Sequence, residues 1–87
     1  MAWEAEVTGT FRRSYKRLGS EVRGRVDEAI LQLLNKDDPT KLGLRKAGKW
    51  KGVYSHEIGR QFRLLYSVRF EDVVVVFLDV GTHGVYR

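Results

Sequence analysis

The sequence contains no cysteine and only one proline, Pro39, among its 87 residues. Without cysteine the chain forms neither disulfides nor thiolate metal sites, which is typical of proteins in a reducing cytosolic compartment. The longest apolar run, Val73 to Leu78, is far shorter than the roughly 20 residues of a membrane-spanning helix. The first residues also lack the basic and apolar regions of a signal peptide. We therefore expect a cytoplasmic protein that does not contact membranes.

Several signatures of catalysis are also absent. The chain has no glycine-rich phosphate loop, no zinc-ligand spacing and no nucleophile elbow. Its two histidines, His56 and His83, are too few for a typical metal site without help from carboxylates. We therefore predict neither a metal nor another cofactor.

Length and charge define what the chain does have. A chain of 87 residues with 43% hydrophobic residues predicts one compact domain over residues 1–87. Sixteen Lys and Arg against eleven acids give a net charge of +5, which favours polyanionic partners such as nucleic acid, ribosomes or an acidic protein. Between Lys41 and Arg69 the only acid is Glu57, so the basic surface is predicted to belong to the second half.

The first half predicts one strand and two helices. Apolar and polar residues alternate from Trp3 to Thr8, which is typical of a half-buried edge strand. Apolar residues recur at helical spacing from about Thr10, and a clearer apolar stripe runs from Val22 to Leu34. The short link between these stripes predicts an antiparallel helical hairpin.

Small residues carry further predictions for this hairpin. We expect Gly19 to end the first helix in the left-handed conformation and Ser20 to cap the second. Gly24 lies inside the second stripe, where glycine costs roughly 1 kcal/mol relative to alanine. That cost predicts close packing of Gly24 against the first helix.

The second half predicts three strands. Trp50 to Ile58 and Phe62 to Val68 flank Gly59-Arg60-Gln61, a hairpin-length turn, and Val73 to Val80 is almost wholly apolar. Within Phe62 to Val68, the alternation of residues places Arg63 on the face opposite the apolar residues. The predicted fold is α+β: a β-α-α-β-β-β order in which an antiparallel three-strand meander completes a four-stranded sheet. The helical hairpin covers one face and leaves the other available.

Four residues from adjacent pieces of this sheet are suited to metal-free RNA cleavage: His56, Arg63, His83 and Tyr86. We expect strand pairing to gather them on the uncovered face. There a base removes the proton of a 2′-hydroxyl, an acid protonates the departing 5′-oxygen, and cations stabilise the phosphate. Histidine titrates near neutral pH and serves either role. The surrounding residues predicted to bind RNA are Lys49, Lys51, Tyr54 and Arg60.

Each candidate also has a purely structural interpretation. Arg63 alone is a solvated strand residue, His56 a hydrogen-bonded surface histidine, and Tyr86 a residue that packs the C-terminus against the sheet. His83 directly follows Val80-Gly81-Thr82, at the end of a rigid strand, where loops often carry functional sites. The residues alone therefore leave an enzyme and a binding module both open.

The ordered set of segments resembles the RelE/ParE toxin superfamily over nearly the whole chain. The segments that carry the resemblance are Phe11 to Arg23, Gly52 to Ser55 leading to Gly59 to Tyr66, and the valine-rich strand running into Val80-Gly81-Thr82-His83 and Val85-Tyr86. The resemblance implies a RelE-like microbial RNase fold and the toxin of a type II toxin–antitoxin system. RelE-like members are mRNA interferases that cut mRNA in the ribosomal A site. The resemblance therefore implies three partners: a cognate acidic antitoxin, the ribosome and mRNA.

The resemblance also implies roles by position. Arg63 matches the family's phosphate-binding arginine, and Tyr86 its C-terminal tyrosine. His83 falls where the RelE type has a basic residue and YafQ-like relatives have histidine, and His56 matches a second-strand lysine. These matches imply that His83 is general acid or base, with His56 as its counterpart or as a transition-state contact.

Two alternatives stay open. ParE-type chains share the fold but poison DNA gyrase, and they generally lack the arginine, histidine and tyrosine set, so Arg63, His83 and Tyr86 favour the nuclease. The second alternative is an inactive relative that keeps only antitoxin or nucleic-acid binding, in which the basic charge serves binding alone.

Overall fold

The computed structural model describes residues 3–45 and 52–82, which form one mixed sheet with two helices on one face. In chain order its elements are β1 (Glu4–Val7), α1 (Gly9–Lys16), α2 (Ser20–Leu34), a 3₁₀ turn (Pro39–Lys41), β2 (Leu44–Arg45), β3 (Tyr54–Ile58), β4 (Phe62–Arg69) and β5 (Val74–Gly81). The order across the sheet is β1-β5-β4-β3-β2. The predicted α+β class and the order of the main elements are confirmed.

Two features of the sheet differ from the predicted one. β1 pairs with β5 in parallel, whereas the other described pairs are antiparallel. The two-residue strand β2 adds a fifth strand beside β3, and so short a segment carries no periodicity that predicts it. Among the described residues, neither helix has the length and apolar character needed to cross a membrane.

The strand β1 is more exposed than its alternating sequence predicts. All four of its residues are exposed, because β1 is the edge strand and pairs with β5 alone. The preceding residue, Trp3, instead packs against the core. Its backbone N–H donates to the Leu34 carbonyl at 2.8 Å and its indole Nε1 to the Lys36 carbonyl at 2.9 Å. These bonds tie the start of the chain to the end of α2.

Strand register separates two faces of the sheet, because directly paired residues of adjacent strands lie on the same face. The core fills the helix-covered face; its buried residues are Phe11, Val26, Ala29, Leu33, Ile58, Leu64, Tyr66, Val75, Phe77 and Val80. We call the opposite side the outer face; on β4 it carries Arg63, Leu65, Ser67 and Arg69. The sequence predicted that this face is open. It is open only in part, because the central pair Ser55 and Leu65 is buried.

A bulge in β5 sets which residues face outward at its end. Leu65 pairs with Asp79 but Tyr66 pairs with Phe77, so Leu78 is an extra residue in β5. The Leu78 carbonyl accepts a hydrogen bond from the hydroxyl of Thr8 at 2.8 Å, immediately before α1. The bulge is therefore held by the N-terminus of a helix.

The helical hairpin forms as predicted, but its link has a different conformation. Gly19 has φ of −67° and is itself the N-cap of α2, so it is not a left-handed stop and Ser20 is not the cap. The N–H groups of Arg17 and Leu18 instead donate to carbonyls of the preceding turn and close the end of α1. Both local predictions for this link are therefore wrong.

Gly24 does not pack closely against α1, contrary to the sequence prediction. Among the described residues, and apart from its chain neighbours and the backbone of α2 itself, no heavy atom lies within 4 Å of the position that a Cβ would occupy. Gly24→Ala is therefore expected to raise the free energy of unfolding by about 0.5–1 kcal/mol, because alanine restricts the unfolded chain more than glycine does. Urea denaturation measures the effect, and a lower midpoint for the variant would contradict it.

Candidate active site

The outer face presents one partly buried arginine, Arg63, near one end of β4. Its cross-strand partners are Glu57 on β3 and Gly81 on β5. Nη2 of Arg63 donates to Oε1 of Glu57 at 2.9 Å, and Nη1 donates to the Phe62 carbonyl at 3.4 Å. The side chain of Arg63 is 14% exposed to solvent, and that of Glu57 is 56% exposed. The guanidinium is therefore held in one orientation, with part of it at the surface.

The two sides of Arg63 differ chemically. Towards β3 it meets the carboxylate of Glu57, and towards β5 it meets Gly81, which has no side chain. The next residue, Thr82, is exposed and is the last that the structure describes. On the β5 side, no side chain of the directly paired residue contacts the guanidinium.

His56 does not join this group. It pairs with Leu64, and this pair lies on the helix-covered face. Its Nδ1 is 3.3 Å from the Leu42 carbonyl, and it lines a cleft with Arg25 and Glu28 of α2. The prediction that His56 and Arg63 share a face is therefore wrong.

The physical reason is the length of the turn between β3 and β4. Three residues separate Ile58 from Phe62, and these two residues pair. Residues equally distant from the turn then face each other, so Glu57 lies opposite Arg63 and His56 falls on the other face. Sequence reasoning missed Glu57, although the turn length and the outward direction of Arg63 together contain the signal.

The residues predicted to bind RNA divide into three groups. Tyr54 pairs with Tyr66 on the helix-covered face, where their rings stack with centroids 5.7 Å apart, so it lies across the sheet from Arg63. Arg60 is exposed in the turn between β3 and β4. Lys49 and Lys51 lie outside the described residues, and so do the predicted catalytic residues His83 and Tyr86.

Comparisons with known proteins place this chain in a family. The model of the family described as ParE-like toxin of type II bacterial toxin-antitoxin system matches residues 6–87. A chain of the toxin–antitoxin complex RelBE2 from Mycobacterium tuberculosis superimposes with a TM-score of 0.85 at 26% identity, covering 95% of this chain and 93% of that chain. A mutant of E. coli toxin RelE in the free state gives 0.79 at 26% identity, covering 99% and 92%.

A more distant likeness concerns the fold alone. YafQ from E. coli superimposes with a TM-score of 0.72 at 18% identity, covering 97% of each chain. No curated protein matches the chain in sequence. The family model, which spans nearly the whole chain, decides the assignment: this chain belongs to the ParE-like toxins of type II bacterial toxin–antitoxin systems.

Proposed function

We propose that this toxin is a ribosome-dependent endoribonuclease, an mRNA interferase that cleaves mRNA in the ribosomal A site and so inhibits translation. Cleavage is a metal-free acid–base reaction in which the 2′-hydroxyl attacks the neighbouring phosphate. The observation that carries the proposal is the Arg63 guanidinium, fixed on the outer face between β3 and β5. The likeness to E. coli RelE over 99% of the chain supports it.

Arg63 is suited to stabilise the phosphate in the transition state. A guanidinium presents a planar set of donors that matches two phosphate oxygens at once. A donor that is already oriented costs no reorganisation as charge develops on the phosphate. The bonds to Glu57 and to the Phe62 carbonyl supply this orientation.

The general acid is proposed on the β5 side. His83 follows Gly81, the partner of Arg63, by two residues, and two residues span at most about 7 Å. This proximity along the chain supports a role for His83 beside a phosphate on Arg63. We assign His83 to protonation of the 5′-oxygen and Tyr86 to orienting the reacting groups, while Lys49, Lys51 and Arg60 contact the RNA backbone. His56 has no role in this proposal because it lies across the sheet.

An acidic antitoxin is the proposed protein partner. RelBE2 of M. tuberculosis and RelBE of E. coli are toxin–antitoxin complexes, and the net charge of +5 favours an acidic partner. Such a partner neutralises the basic surface that the nuclease needs for RNA, and so inhibits it.

Toeprinting on programmed ribosomes tests the function directly. The purified toxin is expected to cleave the mRNA within the A-site codon only when ribosomes are present, and a 2′-deoxy nucleotide at the scissile position is expected to abolish cleavage. Intact mRNA in the presence of wild-type toxin would overturn the proposal.

The ParE-like description of the family favours a second candidate, inhibition of DNA gyrase. The same preparation is therefore added to a gyrase supercoiling assay. Loss of supercoiling together with intact mRNA would replace the nuclease by the gyrase inhibitor. If the toxin neither cleaves mRNA nor inhibits supercoiling, it is a catalytically inactive relative that binds its antitoxin.

A further inference from the structure

We propose that an aromatic cleft at the end of the molecule remote from Arg63 binds a lysine or arginine side chain of a basic protein partner. The aromatic cleft has a volume of about 240 Å³ and is lined by Trp3, Asp37, Phe70 and Val73. Small-molecule sites usually measure about 300–1,000 Å³, so this cleft suits a single side chain. The proposal does not depend on the nuclease function.

The aromatic cleft is separate from the candidate active site. Arg63 is the second residue of β4, and Phe70 directly follows the last residue of that strand. Seven residues of extended chain span roughly 23 Å. A partner in the aromatic cleft therefore makes no contact with the Arg63 guanidinium.

The walls of the aromatic cleft are held in place by their surroundings. The indole N–H of Trp3 donates to the Lys36 carbonyl at 2.9 Å, and the rings of Trp3 and Phe70 meet edge to face with centroids 5.6 Å apart. The Val73 N–H donates to the Phe70 carbonyl at 3.3 Å, and the Glu4 N–H donates to the Val73 carbonyl at 3.0 Å. The cleft is therefore formed before a partner binds, which lowers the entropic cost of binding.

The exposure of Phe70 points to a cationic ligand. Its side chain is 57% exposed, and it shares the cleft with a second aromatic ring, that of Trp3. The face of an aromatic ring is the negative part of its quadrupole. It attracts an ammonium or guanidinium group within about 6 Å of the ring centroid.

The segments that form the aromatic cleft are acidic, although the protein is basic. Residues 36–38 and 69–73 together contain four acids and two cations, so their net charge is −2, whereas that of the whole chain is +5. A negative local charge favours a cationic partner and repels a polyanion such as RNA. It also disfavours the acidic antitoxin at this place, so the aromatic cleft is suited to a second partner of opposite charge.

Two carboxylates of these segments are available to such a partner. Asp72 is engaged by Nε of Arg69 at 3.1 Å. Asp37 and Glu71 are exposed, and within the part of the chain that the structure describes they take part in no ion pair. Because Asp37 lines the aromatic cleft itself, a cation held there contacts both the carboxylate and the aromatic rings.

Fluorescence of Trp3 measures binding directly. The change Trp50→Phe leaves Trp3 as the only tryptophan. The probe is the peptide acetyl-Arg-Ala-Arg-Ala-Arg-amide, and the control peptide carries neutral citrulline in place of each arginine. The arginine peptide is expected to change the emission of Trp3 saturably, while the citrulline peptide leaves it unchanged. Titration calorimetry on the toxin with both tryptophans checks that Trp50→Phe has not altered binding.

Two variants assign the binding to the aromatic cleft. Phe70→Leu keeps an apolar side chain but removes the aromatic face, and Asp37→Asn removes the charge. Each is expected to weaken binding of the arginine peptide by about 2–5-fold, as for a cation at a solvent-exposed site. The matched controls are Leu44→Ser, which removes another exposed apolar side chain, on β2 at the opposite edge of the sheet, and Glu28→Gln, which removes another exposed carboxylate, on α2. Both controls are expected to bind like the wild type.

Three results would overturn the proposal. Equal binding of the arginine and citrulline peptides would show that positive charge is not recognised. Unchanged binding by Phe70→Leu and Asp37→Asn would place the peptide elsewhere on the protein. The third result concerns a second copy of this chain, because α1 presents exposed cations of its own, Arg12, Arg13, Lys16 and Arg17. Self-association in sedimentation experiments that Phe70→Leu abolishes would make that second copy the occupant.

Discussion

Arg63→Ala is expected to slow mRNA cleavage on the ribosome by about 10²–10³-fold, the usual cost of removing one preoriented donor from developing negative charge. The variant is expected to have a lower cleavage rate when bound to the ribosome but an unchanged affinity for the ribosome, because the guanidinium acts on the phosphate in the transition state. Arg63→Lys is expected to recover little, since an ammonium lacks the planar pair of donors. Single-turnover cleavage rates measure both variants.

Two controls show whether the effect belongs to the site. Arg69→Ala removes an arginine from the same strand and face, about 20 Å further along β4, where it pairs with Glu6 and Asp72. His56→Ala removes the histidine from the helix-covered face. Both are expected to retain cleavage. A folded Arg63→Ala variant that cleaved as fast as wild type would remove the observation on which the nuclease rests.

Gly43→Ala is expected to lower the free energy of unfolding by about 2–5 kcal/mol, through overpacking and the loss of a buried hydrogen bond. A Cβ at residue 43 would lie 2.5 Å from the hydroxyl oxygen of Tyr66 and 3.1 Å from the Ser55 carbonyl. Tyr66 is fully buried and its hydroxyl donates to the Pro39 carbonyl at 2.7 Å. Burial raises the pKa of Tyr66 to about 12, so this donor keeps its proton at neutral pH.

The side chain of Tyr66 cannot move away from the added methyl group without disturbing its neighbours. Its ring stacks on Tyr54 and contacts Phe77, with centroids 5.7 and 6.4 Å away. For a chain of this size, total stability is roughly 4–13 kcal/mol, so Gly43→Ala is expected to remove a large share of it. Urea denaturation measures the loss.

A double variant identifies the cause of that loss. Tyr66→Phe removes the oxygen that the Cβ would meet at 2.5 Å, at the cost of the bond to Pro39. If the contact is the cause, Gly43→Ala combined with Tyr66→Phe costs less than the sum of the two single changes. Additive costs would show that the contact with the Tyr66 hydroxyl is not responsible.

The sequence predicted the fold where its patterns were long. The stripe from Val22 to Leu34 and the alternation from Phe62 to Val68 correspond to α2 and β4 within a residue or two, because periodicity over many residues reflects one buried face. It failed at single glycines of the helical hairpin. At Gly19 the local sequence does not distinguish an extended N-cap from a left-handed helix end. At Gly24 it does not distinguish an exposed glycine from one packed against another helix.

The site was predicted in part. Alternation placed Arg63 opposite the apolar residues, and the structure confirms its place on the outer face. His56 was selected because histidine titrates near neutral pH, but register places it on the helix-covered face and places Glu57 opposite Arg63. Register depends on turn geometry and on pairing between strands, which residue type does not contain.

The bulge at Leu78 determines which face of the sheet each of the last residues of β5 lies on. If Leu78 alternated regularly instead of forming the bulge, Asp79 would fall on the helix-covered face and the following residues of β5 would also change face. Val80 would then leave the core, and Gly81 would point at the helices instead of lying beside Arg63. Thr8, seventy positions earlier in the chain, donates a hydrogen bond to the Leu78 carbonyl, so a hydroxyl before the first helix helps to set the place of Gly81 beside Arg63.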